Sequence, residues 1–161
     1  MSEPSFQELM PRNHCWGCGA DNPAGLGIRS RWLEPGRTAE CGWTPRPEHM
    51  AGPTSVLNGG IVATLIDCHG ICTAIANGYL LDDREIGSEP VVWCATASLE
   101  VRYVAPVPLG ALVTVTATID KVDDRKTWVA CVLAADGRER AHATVLAVRV
   151  PPAWLLDGPP L

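Results

Sequence analysis

The chain has 161 residues, with 13 lysines and arginines against 18 aspartates and glutamates, and a formal net charge of −5 at pH 7. That length predicts one domain with its own core, and an acidic balance with no basic run argues against a nucleic-acid partner. The first residues have no basic flank followed by an apolar run, and no stretch approaches about 18 apolar residues without a charge or turn signal, so neither a signal peptide nor a membrane span is expected.

In chain order, residues 1–13 carry little pattern and read as an arm or a short helix. They lead into His14-Cys15-Trp16-Gly17-Cys18-Gly19 and the turn-rich Asp21-Asn22-Pro23-Ala24-Gly25, so that 1–25 forms an N-terminal arm and Cys-x-x-Cys loop. One Cys-x-x-Cys pair and one adjacent His offer three ligands where structural zinc takes four. Cys41 completes a set only by an accident of the fold. Loop packing is the expected role of Cys15 and Cys18, and no metal or cofactor is expected. The seven cysteines are an odd count; those in the helix and strands read as small apolar residues, which fits a reducing cytoplasm.

Residues 27–33 and 38–44 read as two strands joined by Glu34-Pro35-Gly36, and 45–53 as a proline-punctuated loop. Residues 58–77 then read as one helix of about 20 residues, roughly 30 Å long. Ile61, Val62, Leu65, Ile66, Ile71 and Ile75 occupy most of its circumference, the pattern of a helix buried on all sides. Asp67 is its single formal charge, and carboxylates are rarely fully buried unpaired. Asn58 is a good N-cap, and Gly59 and Gly60 leave the first amides open to close approach. Such a helix start can hold an oxyanion, because its amides lack partners and carry the positive end of the dipole. An open helix start with an isolated carboxylate suggests acyl chemistry. It equally fits a capped core helix whose Asp67 bonds neighbouring backbone. His69, two residues on, points to another side and reads as a hydrogen-bonded interior histidine.

Residues 78–90 read as a polar loop. Alternating strands follow at 96–104, 111–122, 127–134 and 138–150, the last two a hairpin over Asp136-Gly137. Residues 151–161 read as an irregular tail, leaving 26–150 as the folded domain. Two strands, a long apolar helix and four strands give an α+β fold, an antiparallel sheet around one central helix. Its edge strands predict a homodimer.

At these residues the sequence resembles the hotdog-fold thioesterases of the PaaI-like group, from Cys15 to about Val150. The family motif is His-Gly-Gly with an Asp nine positions after the His; here Asn58-Gly59-Gly60 stands nine positions before Asp67. Thr96-Ala97-Ser98-Leu99, Tyr103-x-x-Pro106-x-Pro108-Leu109 and Asp124-Arg125-Lys126 resemble the family's strand start and turns, and the N-terminal Cys-x-Gly-Cys-Gly and Asn-Pro-x-Gly-Leu elements its bacterial members.

The resemblance implies a hotdog fold and hydrolysis of a coenzyme A thioester. It implies a site shared between subunits of a homodimer or homotetramer, with the helix start of one chain facing Asp67 of the other. Asp67 is then general base on water or nucleophile, the amide of Gly59, with Gly60, the oxyanion hole, and Thr96 the group that holds the water or orients Asp67. Arg125 and Lys126 are implied contacts to the nucleotide phosphates, with Pro106 beside the substrate. Two departures stand out: Asn58 replaces the family His, and the loop between helix and Thr96 is longer. The first leaves a non-catalytic acyl-CoA-binding protein of the same fold as the alternative. A dehydratase needs an acid–base His, and none stands at the helix start.

Overall fold

The computed structural model describes residues 3–158. A short helix α1 (Phe6–Leu9) precedes strands β1 (Arg31–Glu34) and β2 (Thr38–Trp43), and a 3₁₀ turn (Pro47–His49) leads to the long helix α2 (Gly59–Leu81). Strands β3 (Trp93–Tyr103), β4 (Val113–Asp123), β5 (Lys126–Ala135) and β6 (Arg138–Val150) follow, then a short helix α3 (Ala153–Asp157). All six strands form one antiparallel sheet in the order β1-β2-β4-β5-β6-β3. The sheet wraps α2, which is the hotdog architecture expected.

The packing follows from the strand alternation. Val113, Val115 and Ala117 of β4, Val129, Cys131 and Leu133 of β5, and Ala141, Val145 and Ala147 of β6 are buried against Leu65, Ile66 and Ile75 of α2 in one core. Gly70 lets helix and sheet approach closely: a Cβ there would lie 2.9 Å from Val145 Cγ2. By length and composition α2 would suit a membrane span, but in this fold most of it is buried inside the protein. The β5–β6 hairpin turns at Asp136 and Gly137, both with positive φ, as that dipeptide predicts.

Four boundaries differ from the sequence reading, each for a local reason. Helix α2 continues past Asn77 to Leu81, because Gly78 packs on Val92 and the next residue, buried Tyr79, accepts the Val92 amide with its hydroxyl at 3.0 Å. Strand β3 begins at Trp93 rather than Thr96, since Trp93, Cys94 and Ala95 pair with Val150, Arg149 and Val148. Only 31–33 of the first expected strand joins the sheet, and the strand runs on to Glu34. Its earlier residues bond the N-terminal arm instead: Ile28 N–H donates to Gly17 O and Ser30 O accepts Phe6 N–H, and just before them Leu26 N–H donates to Trp16 O. The tail forms α3 where irregular chain was expected, with 159–161 outside the described residues.

His69 is fully buried, as expected, and its tautomer is fixed by its partners. Nε2 contacts the Ala39 carbonyl at 3.2 Å, which can only accept, so Nε2 carries the proton and Nδ1 accepts from Ser30 Oγ at 2.8 Å. Gln7 completes the network by donating to Ser30 Oγ. Desolvation holds this imidazole's pKa down at about 4, so it is neutral.

Candidate active site

The start of α2 is exposed and capped. Asn58 Oδ1 accepts the Gly60 amide at 2.8 Å and the Ile61 amide at 3.4 Å, while Asn58 N–H donates to His49 O. The cap therefore occupies the Gly60 N–H. Gly59 is the first helical residue, where an amide has no intrahelical partner, and none of the described hydrogen bonds uses its N–H. Gly59 is thus the amide left open to a ligand. Tyr103, from the end of β3, secures this point by donating its hydroxyl to Gly59 O at 2.7 Å. Sequence reasoning gave Tyr103 no role, although it opens the Tyr-x-x-Pro motif.

Asp67 lies two turns along α2, half-buried, and Thr96 Oγ1 donates to its Oδ1 at 2.7 Å. A bulge between Thr96 and Ser98 in the β3–β6 pairing re-aims the strand at this point. Burial raises the Asp67 carboxyl above its usual pKa, and the Thr96 hydrogen bond opposes that rise. Asp67 and Thr96 open on a cleft of about 300 Å³ whose walls include Ile71, Ile75 and Trp93 and the thiols of Cys15 and Cys68. An apolar cleft with one hydrogen-bonded carboxylate is suited to activating a water against an acyl group.

The remaining expected residues stand apart. Arg125 and Lys126 form the exposed β4–β5 turn with Asp123 and Asp124, the latter at positive φ, and line a shallow recess of about 150 Å³. Pro106 is exposed, and its carbonyl accepts Arg140 Nη1 at 3.0 Å. A larger cavity, about 510 Å³ between α1, β1 and the C-terminal half of α2, does not include Asp67. Within one chain Gly59 and Asp67 are eight residues apart on one helix, a separation of about 12 Å along the axis. They cannot both touch one carbonyl carbon.

The family model of the thioesterase superfamily matches residues 54–141, which holds both the helix start and Asp67. The acyl-coenzyme A thioesterase THEM4 of Xenopus laevis is 28% identical over 121 residues, 72% of this chain and 47% of that protein, and its Rattus norvegicus counterpart 27% over 106 residues, 65% and 40%. The chain thus spans less than half the length of these curated relatives. A thioesterase superfamily protein from Shewanella loihica superimposes with a TM-score of 0.61 at 28% identity, over 78% of this chain and 92% of that one. The PaaI protein of the E. coli phenylacetic acid degradation operon does so with 0.63 at 15%, over 78% and 80%, a likeness of fold.

Proposed function

This chain belongs to the thioesterase superfamily, and from that premise we propose that it hydrolyses acyl-coenzyme A thioesters to a free acid and coenzyme A. The observation that carries the reading is the half-buried Asp67 held by Thr96 at the mouth of an apolar cleft. The acyl-coenzyme A activity of the THEM4 relatives supports the substrate class. In this reading Asp67 takes a proton from water as the water oxygen attacks the thioester carbonyl. The developing oxyanion is held by the Gly59 N–H, and the collapsing adduct expels the coenzyme A thiolate, which receives the proton. Thr96 positions Asp67 by occupying Oδ1, leaving Oδ2 for the water.

The 12 Å or so between Gly59 and Asp67 along α2 supports a site built from two chains, the helix start of one facing Asp67 of the other. A second copy has a surface to meet: β3 is an eleven-residue edge strand that ends in exposed Tyr103 beside the helix start. Arg125 and Lys126 are assigned to the nucleotide phosphates and Pro106 to the substrate's flank.

The reading is tested by assaying aliphatic and aromatic acyl-coenzyme A thioesters with the native chain and with Asp67→Asn, following free coenzyme A by chromatography. Turnover that falls by roughly 10²–10⁴ in the variant is the expected result. Binding of a thioester with no turnover by the native chain would favour the alternative, a carrier of the same fold, which the use of Asn58 as a helix cap keeps in view.

A further inference from the structure

Four of the seven cysteines meet at one point. Cys15 and Cys18 come from the N-terminal loop, Cys68 and Cys72 from α2, one helical turn apart. Cys15 Sγ lies 3.7 Å from Cys68 Sγ, and Cys18 Sγ 3.7 Å from Cys72 Sγ. The sulfurs of Cys15, Cys18 and Cys68 all lie within 4.8 Å of one another, and Cys72, outside that set, joins it through Cys18. A tetrahedral ion with zinc–sulfur bonds of about 2.3 Å places its sulfurs about 3.8 Å apart, as the geometry of a tetrahedron requires. The two observed contacts are at that spacing.

The surroundings are built for close approach. Gly17 faces Cys68 so closely that any side chain there would run into its Sγ. Asn13 directs its amide to Cys18 Sγ at 3.8 Å, a donor to sulfur of the kind that orients metal ligands. Trp16 and Gly17 carbonyls accept the Leu26 and Ile28 amides, which draws 26–28 away from the sheet to brace the loop. Of the other three buried cysteines, Cys94 lines the same cleft, while Cys41 and Cys131 lie on β2 and β5.

We propose that Cys15, Cys18, Cys68 and Cys72 form a structural site for one thiophilic divalent cation, zinc by the four-thiolate ligand set, that clamps the N-terminal loop to α2. Four thiolates close the coordination sphere, so the ion takes no substrate and serves as a strut. Binding displaces the thiol protons into solvent and changes no oxidation state. The clamp fixes one wall of the cleft that holds Asp67, the residue next to Cys68. The sequence pattern offered only the first pair and one His; the second pair is the i, i+4 repeat of the helix, hidden among its apolar residues.

The test is the metal content of the full chain purified from zinc-supplemented medium without chelator, measured by plasma mass spectrometry. It is joined by titration of the stripped, reduced chain with Co²⁺. About one zinc per chain and a thiolate-to-cobalt charge-transfer band in the near ultraviolet are expected. Both should persist in Cys41→Ala and Cys131→Ala and be lost in Cys18→Ser. Should Cys18→Ser fail to fold, Cys15→Ser at the more exposed position serves, retaining its circular dichroism but releasing zinc on dialysis. A chain without zinc that gives no charge-transfer band overturns the proposal. So does intact-mass evidence of Cys15–Cys68 and Cys18–Cys72 disulfides in the native protein, which would make the cluster a redox pair.

Discussion

Thr96 donates its hydroxyl to Asp67 at 2.7 Å, joining the start of β3 to the middle of α2 across 29 residues of chain. This bond fixes which carboxylate oxygen faces the cleft. Nothing else among the described side-chain hydrogen bonds reaches Asp67, so Thr96 alone orients the proposed base.

Replacing Thr96 by Val removes that donor with little change in shape. A hydrogen bond to a charged group contributes about 1.5–3 kcal/mol, so kcat should fall roughly 10- to 100-fold with little change in melting temperature. Thr96→Ser should restore most of the rate. A Val variant that turns over like the native chain would remove Thr96 from the mechanism.

Gly59→Pro tests the oxyanion amide without breaking the helix. Proline is favoured at the first helical position, and Asn58, at φ −60° and ψ 131°, already has the extended backbone that a following proline requires. An added Cβ meets the Tyr103 ring first, in ordinary contact at 3.6 Å. The substitution should preserve the fold and lower kcat by roughly 10²–10³, the usual loss for one such donor. Unchanged kcat would place the oxyanion elsewhere.

If Arg125 and Lys126 hold phosphates, changing both to Ala should raise KM for acyl-coenzyme A several-fold and leave kcat nearly unchanged, because such contacts bind substrate and transition state alike. A pantetheine thioester, which lacks the nucleotide, should not respond. Equal losses on both substrates would assign the pair to the turn itself, where Asp123 and Asp124 already neutralise it.

At the far end of α2, Asp82 accepts Arg149 Nη2 at 2.6 Å and Arg84 Nη2 at 3.1 Å. These hydrogen bonds, Arg149 first, hold its carboxyl at about 2 against an ordinary 3.8. The folded pKa is lowered, so the stabilisation is complete above about pH 4 and is lost as pH falls from there toward 2. Asp82→Asn should lower the neutral-pH melting temperature by up to a few degrees, as a partly exposed ion pair allows. Melting curves of both proteins should converge across that acid window; a gap that stays constant would show that charge is not the cause.

The antiparallel sheet and the burial of α2 were legible because the β4, β5 and β6 alternation and the all-round apolar helix each have one packing solution. Asn58 as cap and His69 as an interior residue were legible for the same reason: each is satisfied by local geometry. What the sequence hid was long-range. Ser30 reads as strand, but its backbone is claimed by Gln7 and Phe6. Gly78 reads as the first residue of a polar loop, yet it lies in α2 and packs on Val92. The thiols of Cys68 and Cys72 read as apolar filler until the loop bearing Cys15 and Cys18 is laid against them.

The central claim is a site completed by two chains, and mixing two defective chains measures it. Asp67→Asn and Gly59→Pro are each expected to be nearly inactive alone. Unfolded together and refolded at equal ratio, half of the dimers are mixed, and each mixed dimer carries one intact site and one doubly altered site. Recovery of about a quarter of native activity is expected, in a species that light scattering shows to be at least a dimer. A mixture no more active than its components, or a native monomer that turns over acyl-coenzyme A at micromolar concentration, would contradict it.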